Sequence, residues 1–447
     1  MLAGIVTRSS AQAFLDASPI LGSVGLAGSI AEIVAILLFA GLIGTTLSRS
    51  GKPLAVYDYY IAVAMGWFVL QAVYGTAYFW ALAVARDRDA MLGLVATWQA
   101  PLRDVQIHGF MMLMILGVSQ RIFPNFYGFA APGPRRSLVA LYLLNAAIIG
   151  EVAGLILMRT KGHTWAALWY GSVLLLAVGV ALLVSGWRLH SAPRETDRSL
   201  KFLRAAYVWL FISLTMLVLL PAHQFGALRL WAPESHAAQI GFSHAYYGAI
   251  RHAITVGFVS MMIVGVAAKV VPTLNGIDIR QLPSLWIPFV LLNTGCAMRV
   301  GFQALTDFRE SVFPIAGFSG ILEVAGLTIW GVHLWRTMNG RLRVPERGAD
   351  SAILPKGREL IASDNVGAAL DAYPELLPTF LEYGFTPLAN PLMRRTIART
   401  ISIEGAARRF GIEPERLLKS LNAARARSEN DPSPFVDEVG KHGASAV

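Results

Sequence analysis

The sequence contains a single cysteine, Cys296, among its 447 residues. One thiol excludes an intrachain disulfide, a Cys-x-x-Cys-His haem attachment, a cysteine-held iron–sulfur cluster and a zinc site built from several thiolates. Any metal is therefore expected to bind to His, Met or oxygen ligands. The sequence also lacks a Walker phosphate loop and a dinucleotide-binding fingerprint, so ATP-driven transport by this chain alone is not expected.

Charged residues are scarce as well, because they make up 15% of the sequence while hydrophobic residues make up 55%. Soluble proteins average about 25% charged residues, so this composition predicts a polytopic membrane protein of the all-α class. A bilayer span needs about 20 apolar residues. Nine segments, give or take one, have that length: 21–47, 58–84, 105–123, 137–158, 166–187, 203–222, 246–271, 284–303 and 313–335.

The loops between these segments place most Lys and Arg residues on one side of the membrane. The positive-inside rule makes that side cytoplasmic, which predicts an outer N-terminus and a cytoplasmic C-terminus. The net charge of +10 then needs no nucleic-acid partner. No cleaved leader is expected before the first span, since the preceding residues contain no apolar core of signal-peptide length.

Composition also predicts the domain boundaries. The predicted segments are an outer N-terminal segment at 1–19, a transmembrane helical domain at 20–340, a basic linker at 341–357, a cytoplasmic helical domain at 358–426 and a disordered tail at 427–447.

Two stretches of the chain, 148 residues apart, are versions of one helix. Their Gly, Phe and Pro residues coincide without gaps, and the match continues to Asn145 and Asn293. The coinciding pairs include Gly109/Gly257, Phe110/Phe258, Gly117/Gly265, Pro124/Pro272 and Gly128/Gly276. Shared composition does not place so many of these residues in one register, so the sequence predicts an ancient duplication of a helix pair.

Histidine lies near the entrance of both repeat helices, at His108 and His252. In the predicted orientation His223, His236 and His244 lie on the same outer side. Imidazole binds metals and haem iron, and ionisable residues in spans are costly to desolvate. A haem between the two helices takes one axial imidazole from each, so His108 and His252 are the predicted haem ligands. The other three histidines are predicted metal ligands.

The same residues have a plainer interpretation as hydrogen-bonded or snorkelling residues of the interface. Asp104 occupies the position equivalent to His252, and His108 lies one turn later, so the repeats do not carry the ligand at equivalent sites. Arg251 is a candidate partner for a haem propionate, and Tyr247 is a candidate donor to a bound ligand. Both also fit a belt of interfacial aromatic and basic anchors.

Glu151 and Glu323 each begin the pentapeptide Glu-Val-Ala-Gly-Leu inside a predicted span. Carboxylates in this environment are costly and are therefore functional candidates. Two roles stay open for them, a proton relay and a structural salt bridge with Arg299.

The run His252-Ala-Ile-Thr-Val-Gly and the run Pro124-Asn-Phe-Tyr-Gly resemble the signature helices of the NnrS family. That family is similar to the catalytic subunit of haem–copper oxidases and nitric oxide reductases, and the resemblance covers roughly 20–340. It implies a bacterial inner-membrane protein with haem and copper, linked to nitric oxide and denitrification. The first signature histidine of the family lies about where Asp104 stands, and the chain has no adjacent His-His pair for copper.

Beyond Arg347 the sequence becomes charged and soluble in character. Helix start and stop signals predict a helix begun by Ser363 and Asp364, one that ends at Gly384, a short one at 393–399, one from Ser402 to Gly411 and a last one opened by Pro414. Most of 358–425 resembles a small uncharacterised helical module found beside hybrid-cluster and nitrogen-oxide redox proteins.

The last two of these helices also fit a DNA-binding helix-turn-helix. Arg408, Arg409, Arg416 and Lys419 would then contact phosphates. An ordinary helical hairpin with solvated cations is the favoured interpretation, and nucleic acid is not an expected partner.

The sequence therefore predicts a membrane haem protein, with copper as a second candidate cofactor, that handles nitric oxide, another diatomic gas or electrons together with a redox partner protein. Oxidoreductase activity is left open. Two alternatives are a cofactor-free transporter or scaffold and a membrane-tethered sensor. A carrier site should lie nearer the midplane, where the chain offers Glu151, Glu323, Asn145 and Asn293.

Overall fold

The chain is described by a computed structural model. The described residues are 1–15, 18–49, 51, 53–190, 197–275, 277, 279, 282–339, 354–355, 357–395 and 397–430.

These residues form helices joined by short turns, with one isolated antiparallel bridge between Asn365 and Ser402. The predicted all-α fold is confirmed. The helices that matter for the site are α1 (Leu2–Ala13), α2 (Ile20–Arg49), α3 (Val56–Ala83), α4 (Arg88–Tyr127), α5 (Pro134–Thr160), α6 (His163–Trp187), α7 (Leu200–Val218), α8 (His244–Leu274), α9 (Trp286–Leu305) and α10 (Glu310–Met338).

Eight helices in the described part of the chain, α2 to α8 and α10, are long and apolar enough to cross a bilayer. The chain is therefore a multi-pass membrane protein. The remaining predicted span, α9, is also a helix, but Asn293, Arg299 and Gln303 make it more polar. The helix α4 begins well before the predicted span at 105–123, because the Asp87 side chain caps it by accepting a hydrogen bond from the Ala90 amide at 2.8 Å.

Contacts divide the chain into two compact units. The first comprises Met1–Thr196, Leu200–Gly265 and Trp286–Leu327, and it contains the candidate site. The second contains one end of α8, one end of α10 and the C-terminal segment. The predicted boundaries at 340/341 and 357/358 adjoin residues outside the described ranges, so they stay predictions.

The N-terminal segment contains a helix, α1, that the sequence did not predict. Its Gly4 lies so close to α2 that a Cβ atom there would be 2.7 Å from the carbonyl oxygen of Gly28. Arg8 of α1 forms an ion pair with Glu32 of α2 at 3.0 Å. This pair compensates a carboxylate inside the first apolar span.

The helices α4 and α8 share an irregularity at the same place in the repeat. Each widens into π-helical turns, over Val105–Met112 in α4 and over Ala253–Ser260 in α8. The two segments have the same length and are 148 residues apart, as the predicted duplication requires. Such turns leave backbone groups less regularly paired and often occur at functional positions.

A matched hydrogen bond joins neighbouring helices in each repeat. The indole of Trp67 donates to Asn145 Oδ1 at 2.9 Å, and the indole of Trp209 donates to Asn293 Oδ1 at 3.0 Å. Both asparagines, which the transporter alternative offered for a carrier site near the midplane, thus accept hydrogen bonds between helices. The recurrence of this bond agrees with the predicted duplication.

The C-terminal segment contains four longer helices, and they enclose a core in which Leu376, Phe380, Ala407 and Leu417 are fully buried. These helices are α11 (Val366–Ala372), α12 (Leu376–Glu382), α13 (Ile403–Arg409) and α14 (Pro414–Asn430).

Two predicted boundaries in this segment are confirmed, because Ser402 caps α13 and α14 starts at Pro414. Two others were wrong. The cap of α11 is Asn365 instead of Ser363 or Asp364, since its Oδ1 accepts hydrogen bonds from two amides of the first turn. The predicted disordered tail begins too early, because α14 continues to Asn430; residues 431–447 lie outside the described part.

Gly109 and Gly257, which lie against the rings of Trp67 and Trp209, provide a test of the packing. A Cβ atom would lie 2.8 Å from the Trp67 ring at Gly109 and 2.5 Å from Trp209 at Gly257. We expect Gly109→Ala and Gly257→Ala each to destabilise the protein by about 1–3 kcal/mol through overpacking. The control is Gly301→Ala, because a Cβ atom there meets nothing within 4 Å. Thermal unfolding in detergent should show a lower midpoint for the first two variants only; equal midpoints would contradict the packing.

Candidate functional site

Three ionisable side chains meet between α4 and α5. A carboxylate oxygen of Asp104, a ring nitrogen of His108 and a carboxylate oxygen of Glu151 lie within 4.8 Å of one another. The three residues are buried, with exposures of 3%, 6% and 1%. His108 Nδ1 lies 2.8 Å from Glu151 Oε2, which is hydrogen-bond distance. We call these residues the first cluster.

The local helical geometry explains how α4 contributes two of the three groups. Asp104 and His108 are four residues apart, so they project from neighbouring turns of one helix face. The π-helical segment begins at Val105, directly after Asp104. Glu151 reaches the same point from α5, which packs against α4.

Arg251 of α8 connects the first cluster to the second repeat. Its guanidinium donates to Asp104 Oδ1 at 2.8 Å, to the Ala100 carbonyl oxygen at 3.2 Å and to the Tyr247 hydroxyl at 2.9 Å. The other oxygen, Asp104 Oδ2, is buried and has no hydrogen-bond partner among the described residues. A buried carboxylate oxygen without a partner is unusual and is a candidate point of contact for a ligand.

A second set of three groups meets where α8, α9 and α10 approach one another. Atoms of His252, Cys296 and Glu323 lie within 4.8 Å of one another. His252 Nε2 is 2.6 Å from Glu323 Oε1, again at hydrogen-bond distance. We call these residues the second cluster.

The two clusters are not copies of each other, although each contains a histidine–glutamate pair. The position equivalent to His108 in the second repeat is Val256, and the position equivalent to Glu151 is Arg299. His252 instead corresponds to Asp104. The two repeats therefore share their helices, but their ionisable residues lie at different positions on those helices.

The sequence correctly identified Glu151 and Glu323 as unusual, but it did not predict their histidine partners. The alternative of a salt bridge between Glu323 and Arg299 does not match the contacts: Arg299 donates to Gln303 Oε1 at 3.1 Å and to the Ala316 carbonyl oxygen at 3.1 Å. Glu323 is paired with His252. The pentapeptide Glu-Val-Ala-Gly-Leu, which begins at both glutamates, was the one sequence signal that the two have similar surroundings.

The other predicted haem contacts, Arg251 and Tyr247, also lie at the first cluster. The Arg251 guanidinium is 4.7 Å from the centre of the Tyr247 ring, in addition to its hydrogen bond to the Tyr247 hydroxyl. Arg251 is paired with Asp104, so its predicted role as a partner of a haem propionate stays a prediction.

The three predicted metal-ligand histidines lie outside both clusters. The ring of His223 stacks on Tyr246 with 3.9 Å between centroids, while His236 and His244 are exposed. Both ring nitrogens of His223 are buried without a hydrogen-bond partner among the described residues, and burial lowers the pKa of this imidazole. The structure does not bring these histidines together in a group of three, so their role as ligands stays a prediction.

Two parts of the chain match family models. Residues 362–418 match a domain of unknown function (DUF1858), which is compatible with the small helical module predicted there. Residues 198–336 match a second domain of unknown function (DUF8744), and this range includes the second cluster. Neither match is to the NnrS family, so that resemblance stays a prediction. No curated protein matches the chain.

The contact between Arg251 and Asp104 can be tested by charge balance. We expect Arg251→Met to lower the stability by about 3–5 kcal/mol, because it leaves a buried carboxylate without its counter-charge. The double variant Asp104→Asn with Arg251→Met removes both charges and should recover much of the loss. Thermal unfolding in detergent measures both effects. A double variant no more stable than the single one would show that the pair is not the main contact of Arg251.

Proposed function

We propose that this chain is a haem-binding protein of a bacterial inner membrane that handles nitric oxide or a related nitrogen oxide, with His108 as the axial ligand. The proposal combines the sequence resemblance with one observation. His108 Nδ1 is held by Glu151, while His108 Nε2 makes no hydrogen bond to the described residues. Ligating histidines commonly have one ring nitrogen held by a carboxylate in this way.

The donor atoms of the first cluster fit a haem iron bound by one imidazole. Glu151 would fix the ring orientation of His108 and increase the basicity of the bound nitrogen. The fit at His252 is poorer, since its Nε2 is committed to Glu323 and only Nδ1, next to the Cβ substituent, is left. This supports a single axial histidine over the predicted pair.

A haem with one protein ligand supplies an open iron position that can bind a diatomic gas. The surrounding residues of the first cluster would act on such a ligand through their charges. Asp104 Oδ2 offers an acceptor for a protonated group, and Arg251 offsets the negative charge of Asp104. Tyr247, which accepts a hydrogen bond from Arg251, retains its own hydroxyl hydrogen for donation.

The orientation belongs to the same proposal. The excess of Lys and Arg in alternate loops supports a cytoplasmic C-terminus, and it supports an outer side for the entrance of α4 and α8. The gas-binding site would then lie toward the outer leaflet, and the C-terminal helices would lie in the cytoplasm.

A second candidate function is proton-coupled transport, and a specific observation favours it. With His108 protonated, the first cluster and Arg251 together contain two cations and two carboxylates, so their charges cancel without a cofactor. Buried histidine–glutamate pairs in repeated helices can bind and release protons during transport. In this alternative the clusters are proton sites.

Absorption spectra of the purified full chain distinguish these proposals. We expect stoichiometric haem bands that shift when nitric oxide is added to the reduced protein. His108→Ala should abolish them, whereas His252→Ala should retain them. Glu151→Gln should retain the haem but raise its reduction potential, because the axial imidazole becomes less basic.

A folded but colourless wild-type protein would contradict the haem proposal. Proton-driven uptake in proteoliposomes, lost in Glu151→Gln, would then support the transporter. Haem retained in His108→Ala would instead move the ligand role to another histidine.

A further inference from the structure

We propose that the second cluster binds a divalent metal ion that accepts a thiolate ligand, such as Zn²⁺. His252, Cys296 and Glu323 provide one nitrogen, one sulfur and one oxygen, all within 4.8 Å of one another. Zn²⁺ binds this combination of donors, and sites with three protein ligands leave a fourth position open. The site is separate from the haem proposed at His108 and does not depend on it.

The packing of α9 against α10 builds this site. Gly295, directly before Cys296, allows the close approach, because a Cβ atom there would lie 2.7 Å from Glu323 Cγ and 3.0 Å from the Ser319 carbonyl oxygen. The helix α8 supplies His252 from the other side. Three helices therefore converge on one point and deliver one ligand each.

The thiol of Cys296 has no other evident role. Its residue is fully buried, and its sulfur makes no hydrogen bond to any described residue. Its apolar neighbours include Trp209, Ala253 and Val300. A single thiol cannot form a site of several thiolates, so only His, Met and oxygen ligands were predicted from the sequence. One thiol combined with a histidine and a carboxylate from other helices is a different kind of site, and it becomes evident only from the packing.

Charge balance favours a divalent ion. With neutral His252, the thiolate of Cys296 and the carboxylate of Glu323 carry two negative charges, which a divalent ion neutralises. Charges are costly in a low-dielectric interior unless they are compensated in this way. On binding, the thiol proton leaves to solvent as the sulfur–metal bond forms, so the affinity should increase with pH.

The first cluster is a weaker candidate for such an ion. Its Asp104 is already paired with the fixed positive charge of Arg251, so a divalent ion there would leave a net positive charge. It also lacks a sulfur ligand. The second cluster has no Arg or Lys paired with its carboxylate among the described residues.

The distances require small side-chain movements. Zinc lies about 2.3 Å from sulfur and about 2.0–2.2 Å from nitrogen or oxygen, which places ligand atoms of a tetrahedral site roughly 3.4 Å apart. The donor atoms of the second cluster are at most 4.8 Å apart. The 2.6 Å contact between His252 and Glu323 must open slightly to admit the ion, while Cys296 moves inward.

The experiment uses the full chain, purified in detergent with a histidine-free affinity tag and treated with a chelator. Co²⁺ serves as the spectroscopic probe and Zn²⁺ as the competitor. We expect one Co²⁺ per chain, with a sulfur-to-cobalt charge-transfer band that Zn²⁺ removes. Cys296→Ser should abolish the band, and Glu323→Gln should weaken binding at least about tenfold. The matched control Glu151→Gln should leave the band unchanged.

A second readout needs no variant. Cys296 is the only cysteine of the chain, so maleimide labelling in mild denaturing detergent reports on this thiol alone, and Zn²⁺ should slow it. X-ray absorption of the Zn²⁺ form should show one sulfur neighbour at about 2.3 Å. A spectrum with only nitrogen and oxygen neighbours, or a cobalt band that persists in Cys296→Ser, would overturn the proposal. A colourless protein that still binds Co²⁺ through sulfur would contradict the haem proposal and leave this one standing.

Discussion

The structure depends on one constraint, which is that a carboxylate buried between membrane helices needs a partner of opposite charge. Glu32 has Arg8, Asp104 has Arg251, Glu151 has His108, and Glu323 has His252. An uncompensated charge in this environment costs several kcal/mol, so these pairs restrict which helices can be neighbours. In both candidate sites, the side chains that form these pairs are also the candidate ligands of a metal.

The features that could be predicted from the sequence are those encoded locally. Apolar runs located the spans because each helix must cover the same bilayer thickness, and a Gly and Pro register revealed the repeat. His108 and His252 could be selected as candidate ligands from local sequence alone, because a histidine near the start of an apolar helix is easily recognised. Ser402 and Pro414 marked helix starts because caps act on the adjacent turn.

The features that could not be predicted depend on which helices touch. Glu323 contacts His252 only because α10 packs near α8, and no spacing in the sequence encodes that contact. Cys296 was left out of the predicted ligands because one thiol is too few for a site of several thiolates. The sequence does not show that it lies beside His252 and Glu323, which are on two other helices. The π-helical segments had no sequence signal either, although they begin directly after Asp104 and His252 in both repeats. They are recognised only from the backbone hydrogen bonds of the folded helices.

The bond between Arg251 and Asp104 also bears on the history of the duplication. This pair crosses from one repeat to the other, so each half of the chain contains a charge whose partner is in the other half. Arg251 corresponds to Arg103 in the first repeat, so both repeats carry arginine at this position, whereas His252 stands in the second repeat where the first has Asp104. A dimer of two identical subunits with Arg and Asp at these positions can form the pair twice across its interface, because each subunit contributes both partners. In the present chain one such pair joins the two halves, so each half holds a charge whose counter-charge is supplied by the other.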